Sequence, residues 1–143
     1  MSRQLSVIVF QATNQSLYHD KPINQRDFFK AITIDDDLQA FYSIIGCECI
    51  DIVKRKIGDS YYNIICDDEG LFVANPIISL AHPTDMYQTI HGNVIITGIE
   101  DEHGDLTSLT NLDIVKIKNE LKYMILLDEI NNNDMISPII LLS

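Results

Sequence analysis

Three groups of acids are the residues whose types and spacing could do chemistry. Asp35, Asp36 and Asp37 are consecutive, as are Asp67, Asp68 and Glu69. Glu100, Asp101, Glu102 and Asp105 surround His103 and Gly104. Grouped carboxylates can hold a hard cation or share a proton in acid–base catalysis. A calcium loop needs ligands at alternating positions 1, 3 and 5, glycine at 6 and a closing glutamate at 12; the run at 100–105 does not fit that pattern. Zinc wants about four ligands in one place, and His103 stands alone. His19, His82, His91 and His103 never fall three or four residues apart, so no helix turn brings two of them together. Cys47-x-Cys49 has neither zinc nor redox spacing, and Cys66 leaves an odd number of thiols. These cysteines read as reduced, packed side chains in strands. No phosphate-binding glycine loop, dinucleotide fingerprint or nucleophile elbow is present. The expectation is therefore no catalytic residue, no cofactor and no metal, and a protein that is not an enzyme.

The elements that would carry the acids can be read from patterning. "LSVIVFQ" and "FFKAITI" are β-rich runs. Between them lies a polar loop at 12–27. Asp35, Asp36 or Asp37 can cap a helix and complement its dipole. Leu38, Phe41, Tyr42 and Ile45 come next at one-face spacing, and Gly46 sits at the position of a left-handed stop. "CECIDIVKRK" alternates as a half-buried strand does, and "IGDS" signals a hairpin turn. Lys54, Arg55 and Lys56 form the one basic triplet, the kind that protects an edge strand. Strand, acidic turn and strand occupy 61–75, with Gly70 serving the turn. Pro76 suggests a short helix through Leu80. "NVIITGI" is a strand, and the acidic run after it joins that strand to a helix.

Ser108 or Thr110 can cap this second helix, which is expected from about Asn111 to Asp128 or Ile130. Its buried side would carry Leu112, Val115, Leu121, Met124 and Ile125. "NNND" breaks it. The apolar tail at 131–143 either adds a strand or docks on a second subunit, which makes a homodimer a further expectation. The fold class is thus α+β: a mainly antiparallel sheet of about five or six strands, with two principal helices on one face.

At 143 residues the chain fits one domain. Its net charge of −11 is uneven. Residues 1–30 hold Arg3, Lys21, Arg26 and Lys30 against Asp20 and Asp27, a net +2, so the rest carries −13. Such a surface repels nucleic acid and anionic membranes and attracts basic proteins. No apolar run approaches the ~18 residues of a membrane span. The start "MSRQLSVIVFQATN" lacks the cleavage pattern of a signal peptide, so the expected location is the cytoplasm.

Four segments together, "ITIDDDLQAFYSIIG", "CECIDIV", "YYNIICDDEGLFVANP" and "YQTIHGNVIITGIEDEHGDLTSLTNLDI", resemble an uncharacterised domain family common in phages, prophages and mobile elements of Gram-positive bacteria. The resemblance spans about residues 31–121. It rests on Asp36, Asp37, Leu38, Gly46, Ile52, Cys66, Glu69, Gly70, Asn75, Gly92, Ile96, Gly98, Asp105, Ser108 and Leu109. The chain departs from the family pattern at Gly46-Cys47, where two glycines are usual, and at Asn75-Pro76, where an Asn-Arg pair is usual. The resemblance implies no catalytic activity and assigns the acidic stretch to a strand-to-helix turn. It implies a phage-type setting, in which small acidic proteins often block a host defence enzyme. The expected partner is a host protein with a basic surface, a CRISPR effector nuclease being the sharpest case, with no direct binding of nucleic acid. The expected contact residues are Asp35, Asp36, Asp37, Asp67, Asp68, Glu69, Glu100, Asp101, Glu102 and Asp105. The alternatives are a small-ligand or nucleotide-binding module and a phage housekeeping protein.

Overall fold

The structure, a computed structural model, describes residues 3–10, 15–16, 29–69, 78–81, 90–128 and 133–141. Its principal sheet has five strands in the order β3-β1-β8-β5-β4, every neighbouring pair antiparallel. These are β1 (Gln4–Phe10), β3 (Phe29–Asp35), β4 (Ile50–Ile57), β5 (Ser60–Asp67) and β8 (Val94–Thr97). With two helices, this is the expected α+β fold. A second sheet joins β2 (Gln15–Ser16), β10 (Asn133–Leu141), β6 (Ile78–Ala81) and β7 (Ile90–His91), and β9 (Leu121–Asp128) pairs with β10.

Central strands are apolar on both faces because both faces are covered. On β1, Leu5, Val7 and Val9 point one way and Ile8 and Phe10 the other, all buried. The first set packs with Phe41 and Ile45 of helix α1 (Leu38–Ile45), and with Ile65 and Ile95. The second packs with Ile117 of helix α2 (Asn111–Asn119), and with Ile64 and Ile96. The helices therefore lie on opposite faces, not on one. The near-continuous burial along β1, β5 and β8 requires this: each odd or even set needs its own cover.

Helix α1 forms as its signals predict. Asp37 caps it by accepting from the Ala40 N–H at 2.7 Å. Gly46 ends it at φ +80°, donating to the Tyr42 carbonyl at 2.8 Å. Leu38, expected on its buried face, is 56% exposed. Helix α2 ends at Asn119, far short of the expected Asp128 or Ile130. After Glu120 the apolar run 121–127 is strand β9, whose backbone groups are taken up by β10. Its buried face is also different: Ile114 and Ile117 face the sheet, while Leu112 and Val115 are exposed. Residues 78–80, expected within a short helix opened by Pro76, belong instead to β6, which pairs with β7 and in parallel with β10. The C-terminal tail adds a strand, β10, to the second sheet. The loop at 12–27 lies outside the described residues except for β2, as do residues 70–75 of the expected turn and strand and 76–77 of the expected short helix.

Candidate functional site

The site is built by the direction of the strands. β1 starts, and β3 and β8 end, at the same end of the sheet. The chain leaving β3 there carries Asp35, Asp36 and Asp37. The chain leaving β8 there carries Glu100, Asp101, Glu102 and Asp105. β5 runs the other way and delivers Asp67, Asp68 and Glu69 to the opposite end. Eight residues of strand separate the two ends by about 24 Å. The fold thus brings two acidic groups together and leaves the third apart.

Arg3 links the two that meet. Its guanidinium lies 3.7 Å from an Asp36 oxygen and 3.9 Å from an Asp105 oxygen. Its carbonyl accepts from the Asp36 N–H at 2.8 Å. Arg3 is not among the sequence candidates; the signal that could have found it is a lone cation just before a strand in an acidic chain.

Several acids here have structural work. Asp37 is the cap of α1. Asp101 closes its own turn, with one carboxylate oxygen accepting from the His103 N–H at 2.8 Å and the Asp105 N–H at 3.1 Å. Glu100 meets Lys54 at 3.1 Å. A backbone hydrogen bond, the nearby Asn63 amide and Lys54 hold the Glu100 carboxyl below the usual carboxylate range. Among the described residues the buried Asn63 Nδ2 has no partner at hydrogen-bonding distance, so it favours the carboxylate by proximity. Asp59, in the β4–β5 turn, pairs with Lys116 of α2 at 3.4 Å, which lowers its pKa. The carboxylates of Asp35 and Glu102 make no ion pair or hydrogen bond among the described residues, and both residues are exposed.

The segment after the acidic turn ties that turn to the sheet. β8 leaves β1 at Gly98, and the returning segment 107–109 fills the gap. The Gly98 N–H donates to the Thr107 carbonyl at 2.9 Å, and the Leu109 N–H to the Ser6 carbonyl at 2.8 Å. The Ser108 hydroxyl accepts from the Ser6 N–H at 2.9 Å. Ser108 is therefore a sheet anchor, and Thr110 is the cap of α2. Thr110 and Asp113 form a reciprocal capping box. Burial works against the Asp113 carboxylate, but hydrogen bonds from Thr110 and Tyr62 outweigh it and lower its pKa. The Tyr62 hydroxyl donates to Asp113 at 3.0 Å.

At the opposite end, Asp67 accepts from the Glu69 N–H at 2.9 Å. The Asp68 N–H donates to the Cys49 carbonyl at 3.2 Å. Cys66 is buried in β5, as expected of a packed thiol, and burial, then Asp51, pushes it up to about 12. Cys47 and Cys49 lie between α1 and β4 rather than in a strand, and Cys49 is exposed. No group of three or more metal-ligating side chains occurs among the described residues.

A family model matches residues 21–122, more than two thirds of the chain. The chain belongs to this family, Domain of unknown function (DUF3846). No curated protein and no solved structure matches it. The DUF3846 match takes in every acidic candidate and both helices. It leaves out β1 and Arg3, so the link between the two acidic groups rests on a residue beyond the matched span. No described helix is long and apolar enough to cross a membrane.

Proposed function

We propose that the protein is a small acidic interaction protein of phage or prophage setting, acting in the cytoplasm of a Gram-positive host. The Arg3 end of its sheet docks on a basic host surface and inhibits a nucleic-acid enzyme, a CRISPR effector nuclease being the sharpest case. The observation that carries this reading is the gathering of Asp35, Asp36, Asp37, Glu100, Asp101, Glu102 and Asp105 at one end of a chain of net charge −11. Carboxylates held by caps, turns and Arg3 cannot scatter, so they present charge to a partner at a low entropic cost. A nuclease channel built for phosphates would be attracted to such a surface. The reading has no catalytic step, no cofactor and no contact with nucleic acid.

The test separates the two ends. Purified protein is mixed with a CRISPR effector, and DNA cleavage and complex formation are tracked at low and high salt. Asp35→Lys with Glu102→Lys reverses charges that hold no structure within the described residues of one copy. The expected result is loss of binding, while Asp68→Lys with Glu69→Lys retains most of it, and wild-type binding weakens as salt rises. Full inhibition by the Asp35/Glu102 variant, or no binding by the wild type, would overturn the reading. In the second case a rise in melting temperature on adding nucleotides would favour the ligand-binding alternative.

A further inference from the structure

We infer that β3 pairs edge to edge with β3 of a second copy, making a two-fold dimer with a continuous ten-stranded sheet. The two edges of the principal sheet are unlike. β4 carries Asp51, Lys54, Arg55 and Lys56, the charged pattern that keeps an edge from pairing with other chains. β3 is seven residues long, and its stretch Ala31-Ile32-Thr33-Ile34 has no charge, proline or glycine. Among the described residues it pairs with β1 alone. Residues 30–33 are exposed, and Ile32 leaves 39% of its surface open.

Charge selects the occupant. Lys30 stands near the start of β3 and Asp35 and Asp36 at and just beyond its end. A strand positive at one end and negative at the other complements itself when antiparallel and opposes itself when parallel. The register that sets Lys30 across from Asp36 of the second copy has its two-fold axis at Thr33. It places Ile32 across from Ile34 of the second copy, a β-branched pair of the kind that stabilises sheets. The interface is isologous, so it closes at two copies. The inference does not rest on the proposed partner, although Asp35 and Asp36 lie at both surfaces.

The mass of the full-length protein is measured by sedimentation from micromolar to millimolar concentration, at near-physiological salt. A dimer is expected for the wild type. Ile32→Lys is expected to give a monomer with an unchanged circular dichroism spectrum. In a Cys49→Ser background, Thr33→Cys is expected to form a disulfide-linked dimer under mild oxidation, and Lys54→Cys on the other edge is not. If Ile32→Lys fails to fold, the two cysteine variants still decide. A wild type that stays monomeric throughout would overturn the inference. So would equal cross-linking at both edges, or a dimer that survives a folded Ile32→Lys.

Discussion

The two ends of the principal sheet hold similar acids in different ways. At the Arg3 end, carboxylates meet cations and backbone donors: Asp36 and Asp105 face Arg3, Glu100 faces Lys54, Asp37 caps α1 and Asp101 closes its turn. At the same end of the sheet the Glu100, Asp59 and Asp113 carboxyls are held below the usual range, as expected where the charged form is favoured, while burial and Asp113 push the Tyr62 hydroxyl up to about 12. At the Asp67 end the Cys47 and Cys66 thiols are both pushed up. Burial is the main cause, and neighbouring carboxylates add to it. One end therefore fixes its negative charge in place. The other carries it on a turn, where it mainly disfavours further negative charge. Local order, more than the number of acids, distinguishes a surface suited to recognition from one that only keeps a chain soluble.

The largest expected effect strikes the joint that fixes the Arg3 end. A Cβ on Gly98 would lie 2.2 Å from the Thr107 hydroxyl and 2.9 Å from the Thr107 carbonyl. The side chain can turn away, but the backbone, bonded to the Gly98 N–H, cannot. Gly98→Ala should cost about 1–3 kcal/mol, the usual range for forcing an atom into a packed site. It should also loosen the acidic turn. Urea denaturation reads the first effect, and amide exchange at His103 and Asp105 the second. Unchanged stability would mean that the returning segment is not seated against β8. A smaller effect is expected for Thr110→Ala, which removes both hydroxyl contacts of the capping box. About 1 kcal/mol should be lost, with less helix by circular dichroism and no change in the turn at Asp101.

Much of the fold is legible in the sequence, and the failures have physical causes. The α1 signals sit within a few turns of chain, an aspartate cap, apolar spacing and a terminal glycine, and all are local. The basic triplet Lys54-Arg55-Lys56 marks an edge strand, and β4 is one. Patterning extends helix α2 too far because Leu121, Met124 and Ile125 continue a helical spacing. Their strand is set by β10, which lies beyond any local window. The same limit hides the grouping of the acids. Nothing in the spacing of Asp36 and Asp105 says that β1 and β8 run in opposite directions and place both beside Arg3. Capping draws on the same residue types as binding, so the sequence does not show that Asp37 and Asp101 also accept from their own backbone in the fold.

The smallest effect sharpens the comparison from the Asp67 end. Burial, then Asp67, raises the Cys47 thiol above its ordinary pKa. A thiol raised on folding holds its proton longer in the native state than in the unfolded chain. Its contribution to stability is thus complete below the unfolded pKa and lost as pH rises through the folded one. Because burial is the larger cause, Asp67→Asn should speed alkylation of Cys47 at mildly alkaline pH by less than about tenfold. Cys66, buried and pushed up to about 12, should stay unreactive until the protein unfolds, while exposed Cys49 labels first. Mass spectrometry of partly alkylated protein gives the order of the three. If Asp67→Asn left the Cys47 rate unchanged, the carboxylates at this end would be too well solvated to act on their neighbours. The contrast between the ends would then rest on the ordered carboxylates around Arg3 alone.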